Sequence, residues 1–283
     1  MNGFLPINKE KDWTSHDVVA KLRGILGTKK IGHLGTLDPL ATGVLVCAVN
    51  NATKLVEYMQ SCRKEYVATF ELGKESDTYD ITGKVNLVSG KEPSLEDVKL
   101  SLEKYRGEIQ QKPPIFSAIK INGQKAYSLA RKGEFVDMPL RTVNIIELDL
   151  LEYSYPFLKL RVLCGGGTYI RSLGHDIGVD LSTGAVMSDL ERTKVGKFSL
   201  SESVKIGNAS KDIDLIWDPK LLDFEIVDIP DHLLEDLRHG KFISPLKEMN
   251  SDVFLGIQDN IPVVLLEKRD DMWKSRKLLY SDK

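Results

Sequence analysis

A chain of 283 residues with 42% hydrophobic and 28% charged side chains can bury a full-sized core, and it is neither a disordered nor a low-complexity polymer. Its formal net charge of −2 excludes binding nucleic acid by bulk charge, so any RNA surface has to come from local clusters of lysine and arginine. No apolar run is long enough to span a bilayer and the N-terminal residues carry no signal-peptide stretch, so a soluble cytoplasmic protein with no membrane association is expected.

In chain order, residues 3–8 read as a short strand. Thr14 and Ser15 are both good N-caps for a helix whose apolar face carries Val18, Val19, Leu22, Ile25 and Leu26. Residues 32–43 are glycine-rich and aperiodic, and they hold the turn-favouring pair Asp38-Pro39. Residues 44–49 are continuously apolar, as in a buried strand. Residues 52–60 predict a helix, and 66–72 a strand with Tyr66, Ala68 and Phe70 on one face. Ser94, with Asp97 three residues on, opens a second helix. Residues 116–121 predict a strand ending at the turn pair Asn122-Gly123. Residues 143–151 and 157–164 predict a strand pair around Tyr155-Pro156, and three glycines lead into a helix over 169–181.

Strands and helices intersperse without a βαβ rhythm, which predicts an α+β fold. Past Pro230 the texture changes to a short helix over 231–239, strand-like runs at 253–258 and 263–267, and a charged end. The expected domains are 1–227 and a small β-rich module over 228–283.

Two clusters could carry chemistry. Residues 30–43 present Asp38 from a glycine-rich loop, with Pro39 biasing Asp38 toward an extended backbone. Residues 167–173 place Arg171 on a helix just after a glycine turn. On residue chemistry alone, an ordinary Asp-Pro turn and a surface arginine account for both. Several chemistries lack their motifs: there is no P-loop, no His-Glu-x-x-His and no Gly-x-Ser-x-Gly. Cys47, Cys62 and Cys164 form no Cys-x-x-Cys, and the five histidines share no metal spacing. No metal is expected, and the cysteines read as reduced apolar fillers.

Residues 32–45 closely resemble the signature of the bacterial TruB family of tRNA pseudouridine-55 synthases, Gly-His-x-Gly-Thr/Ala-Leu-Asp-Pro-x-Ala-Thr-Gly. Lys64-Glu65-Tyr66 resembles the family's Lys-x-Tyr motif, and Gly167-Thr168-Tyr169-Ile170-Arg171-Ser172-Leu173 its later glycine-led motif. Residues 117–131 are similar to the segment that grips tRNA, and Leu190 with Arg192 to the Leu-x-Arg pattern. The likeness runs in order over roughly residues 3–200.

The resemblance implies a pseudouridine synthase fold with a central mixed, largely antiparallel sheet flanked by helices, and a C-terminal PUA-like module. It makes Asp38 the catalytic carboxylate, with Tyr66 stacking on the target base and Arg171 pairing with Asp38 to keep it charged. His33 would help displace and hold the flipped nucleotide, and Leu190 would pack near the base. Lys64, Tyr169, Lys120 and Arg131 complete the implied substrate-binding set. The implied partner is the T arm of tRNA, the expected form a monomer, and no cofactor is required.

Two departures stand out. The family opens with Asp-Lys-Pro-x-Gly-x-Thr/Ser-Ser, where this chain has Glu10 and Asp12 in place of the proline and glycine. Cys164-Gly165-Gly166 replaces the usual Cys-Ser-Lys/Ala. Altered affinity is expected from these before lost activity.

Local charge supplies the candidate RNA face: Lys29 and Lys30, Arg63 and Lys64, the basic residues from Lys112 to Arg141, and Arg192, Lys194 and Lys197. Two other readings compete. One is a tRNA-binding protein without catalysis. The other is an aspartate-dependent hydrolase, for which Asp77 and Asp80 are the nearest further carboxylates; a structural or RNA-adjacent role is expected for both.

Overall fold

The computed structural model describes residues 2–117, 119–121, 123–132 and 137–280. Its main elements in chain order are β1 (Gly3–Lys9), α1 (Ser15–Leu26), β2 (Ile31–His33), β3 (Thr42–Val49), β4 (Lys64–Leu72), α2 (Leu95–Glu103), β5 (Gly107–Gln111), β6 (Arg141–Ser154), β7 (Phe157–Cys164), α3 (Ile170–Asp180), β8 (Ala185–Val195), β9 (Val204–Lys205), β10 (Ile226–Asp228), α4 (Asp231–Arg238), β11 (Val253–Gln258), β12 (Ile261–Arg269) and β13 (Met272–Leu278). Contacts group the chain into two units. One holds residues 1–39, 43–62 and 194–283, the other residues 40–42 and 63–193.

In the first unit β1 lies between β9, its parallel partner, and β3, its antiparallel one. β2 pairs with β3 as well, so β3 is paired by β1 and by β2. Helix α1 is capped by Thr14, whose hydroxyl accepts from Asp17 N while the Asp17 carboxylate accepts from Thr14 N. That reciprocal pair satisfies two orphan donors of the first turn and leaves Ser15 with no capping duty. Residues 50–59 wind as a 3-10 helix (Asn50–Leu55) that becomes α-helical at Val56–Met59, rather than one α-helix.

Strands β10 to β13 form a four-stranded sheet in that order. Its residues alternate between two cores. Phe254, Val264 and Leu266 face α4 with Leu234 and Leu237, whereas Leu255, Ile257 and Leu265 join Phe4, Val44 and Val46. Burial on both faces explains why β11 and β12 are apolar without alternation. Strand β13 lies at the sheet's edge with Lys274, Arg276 and Lys277, charges that discourage pairing with another chain.

In the second unit the order is β8-β4-β7-β6-β5. β4 with β7, β7 with β6, and β6 with β5 are antiparallel. β4 alternates strictly, burying Lys64, Tyr66, Ala68, Phe70 and Leu72. Helix α3 lies against this strand at Gly174, where an added Cβ would fall 2.0 Å from Phe70 Cε1. A glycine costs about 1 kcal/mol of helix propensity against alanine, and here close packing requires it. Of the sequence-predicted strand over 116–121, the described residues in a strand are Lys120–Ile121, paired with Gln124–Lys125. The carbonyl of Phe116 is taken by an arginine instead of a strand neighbour. The first unit mixes parallel and antiparallel pairs, the pairs described above for the second are antiparallel, and helices accompany both, which is an α+β architecture.

Candidate active site

Residues 34–41 leave the β2–β3 hairpin as a loop pinned by its own apolar residues. Leu34, Leu37, Leu40 and Ala41 are buried, whereas Thr36 and Pro39 are exposed and Asp38 is half-buried. Gly35 and Gly43 take φ of +118° and +98°, backbone that an L side chain rarely adopts, which accounts for the two motif glycines. His33 closes β2, half-buried and in register with Cys47.

Both residues flanking Asp38 are held by residues 9–15. The Ser15 hydroxyl accepts from Leu37 N at 2.9 Å and donates to Leu37 O at 3.1 Å. Pro39 O accepts from Asp12 N at 2.8 Å and from Lys9 Nζ at 3.4 Å. Lys9 is 1% exposed, and its ammonium also donates to the carbonyls of Glu10 and Trp13, which supply the partners that a buried charge needs.

The second unit holds Tyr66, Lys64, Tyr169, Arg171 and Leu190. Tyr66 sits mid-strand on the buried face of β4, opposite Val162, with Lys64 two residues back on the same face. Leu190 is buried in β8, and its carbonyl accepts from Thr42 Oγ1 at 3.5 Å. Tyr169 is the N-cap of α3 but makes no side-chain cap. Its backbone is gripped by the Gln111 amide, which accepts from Tyr169 N at 2.8 Å and donates to Tyr169 O at 3.0 Å.

Arg171, in the first turn of α3, is nearly fully buried. Its Nη1 donates to Asp80 Oδ2 at 3.3 Å and to Thr78 O at 3.0 Å, and its Nη2 donates to Phe116 O at 3.0 Å. Asp80 also accepts from Thr78 Oγ1 at 2.8 Å and from the backbone and hydroxyl of Thr82. These donors satisfy the Asp80 oxygens in the buried site. One turn on from Arg171, His175 stacks on Tyr79, with ring centroids 4.0 Å apart and planes at 12°. Burial lowers the pKa of His175. Tyr79 itself has φ +62°, so the segment carrying Asp80 is held in a turn that few tyrosines adopt.

Cys164 ends β7, and burial pushes its thiol up to about 11, which removes it as a nucleophile at neutral pH. The backbone of Lys120 lies in a short strand and that of Arg131 in the helix Ala126–Arg131, while their side chains lie outside the described residues.

The TruB family pseudouridylate synthase N-terminal domain matches residues 23–170. The chain belongs to that family. A tRNA pseudouridine synthase B of Clostridium novyi is 43% identical over 212 residues, covering 75% of this chain and 73% of its own. One of Francisella tularensis is 39% identical and covers all of this chain with 84% of its own. Among solved structures, a Cbf5-Nop10-Gar1 complex contains a chain 26% identical, with a TM-score of 0.75 over 98% of this chain and 85% of that one.

Glu10 and Asp12 stand where the TruB-family opening pattern has proline and glycine. Asp12 takes φ +67°, the left-handed region where the family pattern has glycine, and its N–H still reaches Pro39 O. Glu10 contributes its carbonyl to Lys9. Sequence reasoning passed over Lys9, Gln111 and the pairing of Asp80. The signals were a lysine ending an apolar strand, a glutamine ending β5, and the threonines flanking Asp80 at 78 and 82.

Proposed function

We propose that this chain converts uridine-55 in the T arm of tRNA to pseudouridine, without a cofactor, with Asp38 as the nucleophile. The observation that carries the reading is the loop: a half-buried carboxylate between two pinned peptides, inside a TruB-family chain. The reaction is an isomerisation. The N1–C1′ bond breaks, the base turns, and a C5–C1′ bond forms; the hydrogen at C5 leaves as a proton and N1 gains one.

A base within the T loop has to be flipped out first, at a cost of a few kcal/mol. Stacking on Tyr66 returns roughly 1–3 kcal/mol. Asp38 acts at the glycosidic centre, and Arg171 is the guanidinium that keeps it charged. His33 and Leu190 hold the flipped nucleotide, and Lys64 and Tyr169 contact the substrate. Lys120 and Arg131 bind the phosphates of the T arm, where recognition rests on shape and splayed bases. The module over 228–283 is PUA-like and adds RNA affinity. The working form is a cytoplasmic monomer, a compartment that three buried thiols suit.

The test is site mapping. An unmodified tRNA transcript is incubated with the protein, treated with carbodiimide and reverse-transcribed. One new stop reporting position 55 supports the reading. Tight tRNA binding with no stop anywhere replaces it with the non-catalytic RNA-binding reading.

A further inference from the structure

We propose that Ser15 is a positioning residue for Asp38, an inference that rests on Asp38 being the nucleophile. Ser15 looks from the sequence like an alternative N-cap. The cap is taken by Thr14, which pairs reciprocally with Asp17. That leaves a buried hydroxyl, 3% exposed, whose two hydrogen bonds both go to one residue 22 positions away.

The geometry is selective for a hydroxyl. Leu37 presents its N–H and its C=O to Ser15 Oγ, and only a group that donates and accepts can satisfy both. Leu37 lies in the irregular stretch between β2 and β3. Ser15 therefore does for Leu37 what a neighbouring strand does elsewhere. The Leu37 side chain is buried too, at 3% exposure, so backbone and side chain are both fixed one residue before the carboxylate. On the far side, Pro39 O is fixed by Asp12 N and Lys9 Nζ. With both flanking peptides held, Asp38 keeps little freedom beyond its own side-chain rotation.

Losing the Ser15 hydroxyl leaves both Leu37 groups unpaired and lets the loop shift. A misplacement of about 1 Å at a reacting group costs on the order of 100-fold in rate. The effect belongs on the chemical step, because Ser15 is buried and offers RNA no surface.

The experiment compares wild type, Ser15→Ala, Ser15→Thr and Asp38→Asn in single-turnover tritium release from C5-labelled tRNA, with tRNA affinity and melting temperature measured alongside. The expected result for Ser15→Ala is a rate roughly 10- to 100-fold lower, with tRNA affinity within about twofold. Ser15→Thr, which restores the hydroxyl, is expected within about fivefold of wild type. If the alanine variant does not fold, Ser15→Cys, close in size but a weak donor and acceptor, is expected to show the same split. A wild-type rate in the alanine or cysteine variant, a matching loss of rate and affinity, or a threonine variant as slow as alanine would overturn the inference. Asp38→Asn separates the two layers. If it is inactive while Ser15→Ala is unaffected, only the positioning role fails; if it turns over normally, the assignment of Asp38 fails first.

Discussion

Arg171 and Asp80 form a buried ion pair, Nη1 to Oδ2 at 3.3 Å, with side-chain exposures of 7% and 5%. The Asp80 carboxylate collects three further donors from Thr78 and Thr82, and the guanidinium two backbone carbonyls. A charge buried this deeply is tolerable only with such a complete set of partners. The pair therefore fixes where Arg171 can act.

Removing one partner tests this. Asp80→Ala strands a buried guanidinium and is expected to destabilise the chain by about 3–5 kcal/mol in urea unfolding. Asp80→Asn keeps one acceptor and is expected to cost less stability, yet to lower turnover at least tenfold with tRNA affinity little changed. Wild-type turnover in folded Asp80→Asn would mean that the Asp80 charge is not needed to place Arg171.

Gly174 is expected to gain no stability from alanine, although it lies inside a helix. An alanine at this helical site gains about 1 kcal/mol in propensity. Against that, its Cβ would overlap Phe70, and overpacking costs typically 1–3 kcal/mol. Gly174→Ala should therefore be neutral to destabilising, and Phe70→Leu in the same chain should restore stability relative to the sum of the single changes. Simple additivity in thermal unfolding would remove the contact from the account.

Asp12 occupies left-handed backbone at φ +67°. Asp12→Gly is expected to stabilise by about 0.5 kcal/mol and Asp12→Val to destabilise by about 1 kcal/mol or more, because a β-branched residue fits that region worst. Denaturant midpoints for glycine, aspartate and valine should fall in that order.

The loop that carries Asp38 and the strand that carries Tyr66 were legible because their signals are local. The Asp38 loop shows as a glycine-rich break between two periodic stretches, and the Tyr66 face shows as strict alternation in β4. What stayed hidden depends on tertiary partners. Asp80 and Arg171 are 91 residues apart, and nothing in the local spacing announces the pair. Of the strand expected over 116–121, Lys120–Ile121 is paired, and the Phe116 carbonyl accepts from Arg171, a partner 55 residues away. Strand β8 escaped notice because its buried positions do not alternate cleanly, and β13 because an edge strand carries the charges of a tail.

Burial pushes the Asp176 carboxyl up to about 6 from its ordinary 3.8. A carboxyl raised in the folded state holds its proton more tightly there than when unfolded. Its contribution to stability is complete below about pH 4 and is lost as the pH rises through 6. Asp176→Asn removes that dependence. With partial exposure discounted, it should gain about 1 kcal/mol over wild type above pH 7, roughly 2–4 °C in melting temperature, with the gap closing near pH 4. A gap independent of pH would point to packing instead.

The most direct test of the central claim is tritium release from C5-labelled uridine in an unmodified tRNA transcript, with wild type and Asp38→Asn side by side. The expected result is release by wild type alone, with both proteins binding the tRNA comparably. Equal release by Asp38→Asn, or no release by a wild-type protein that binds the tRNA, would contradict it.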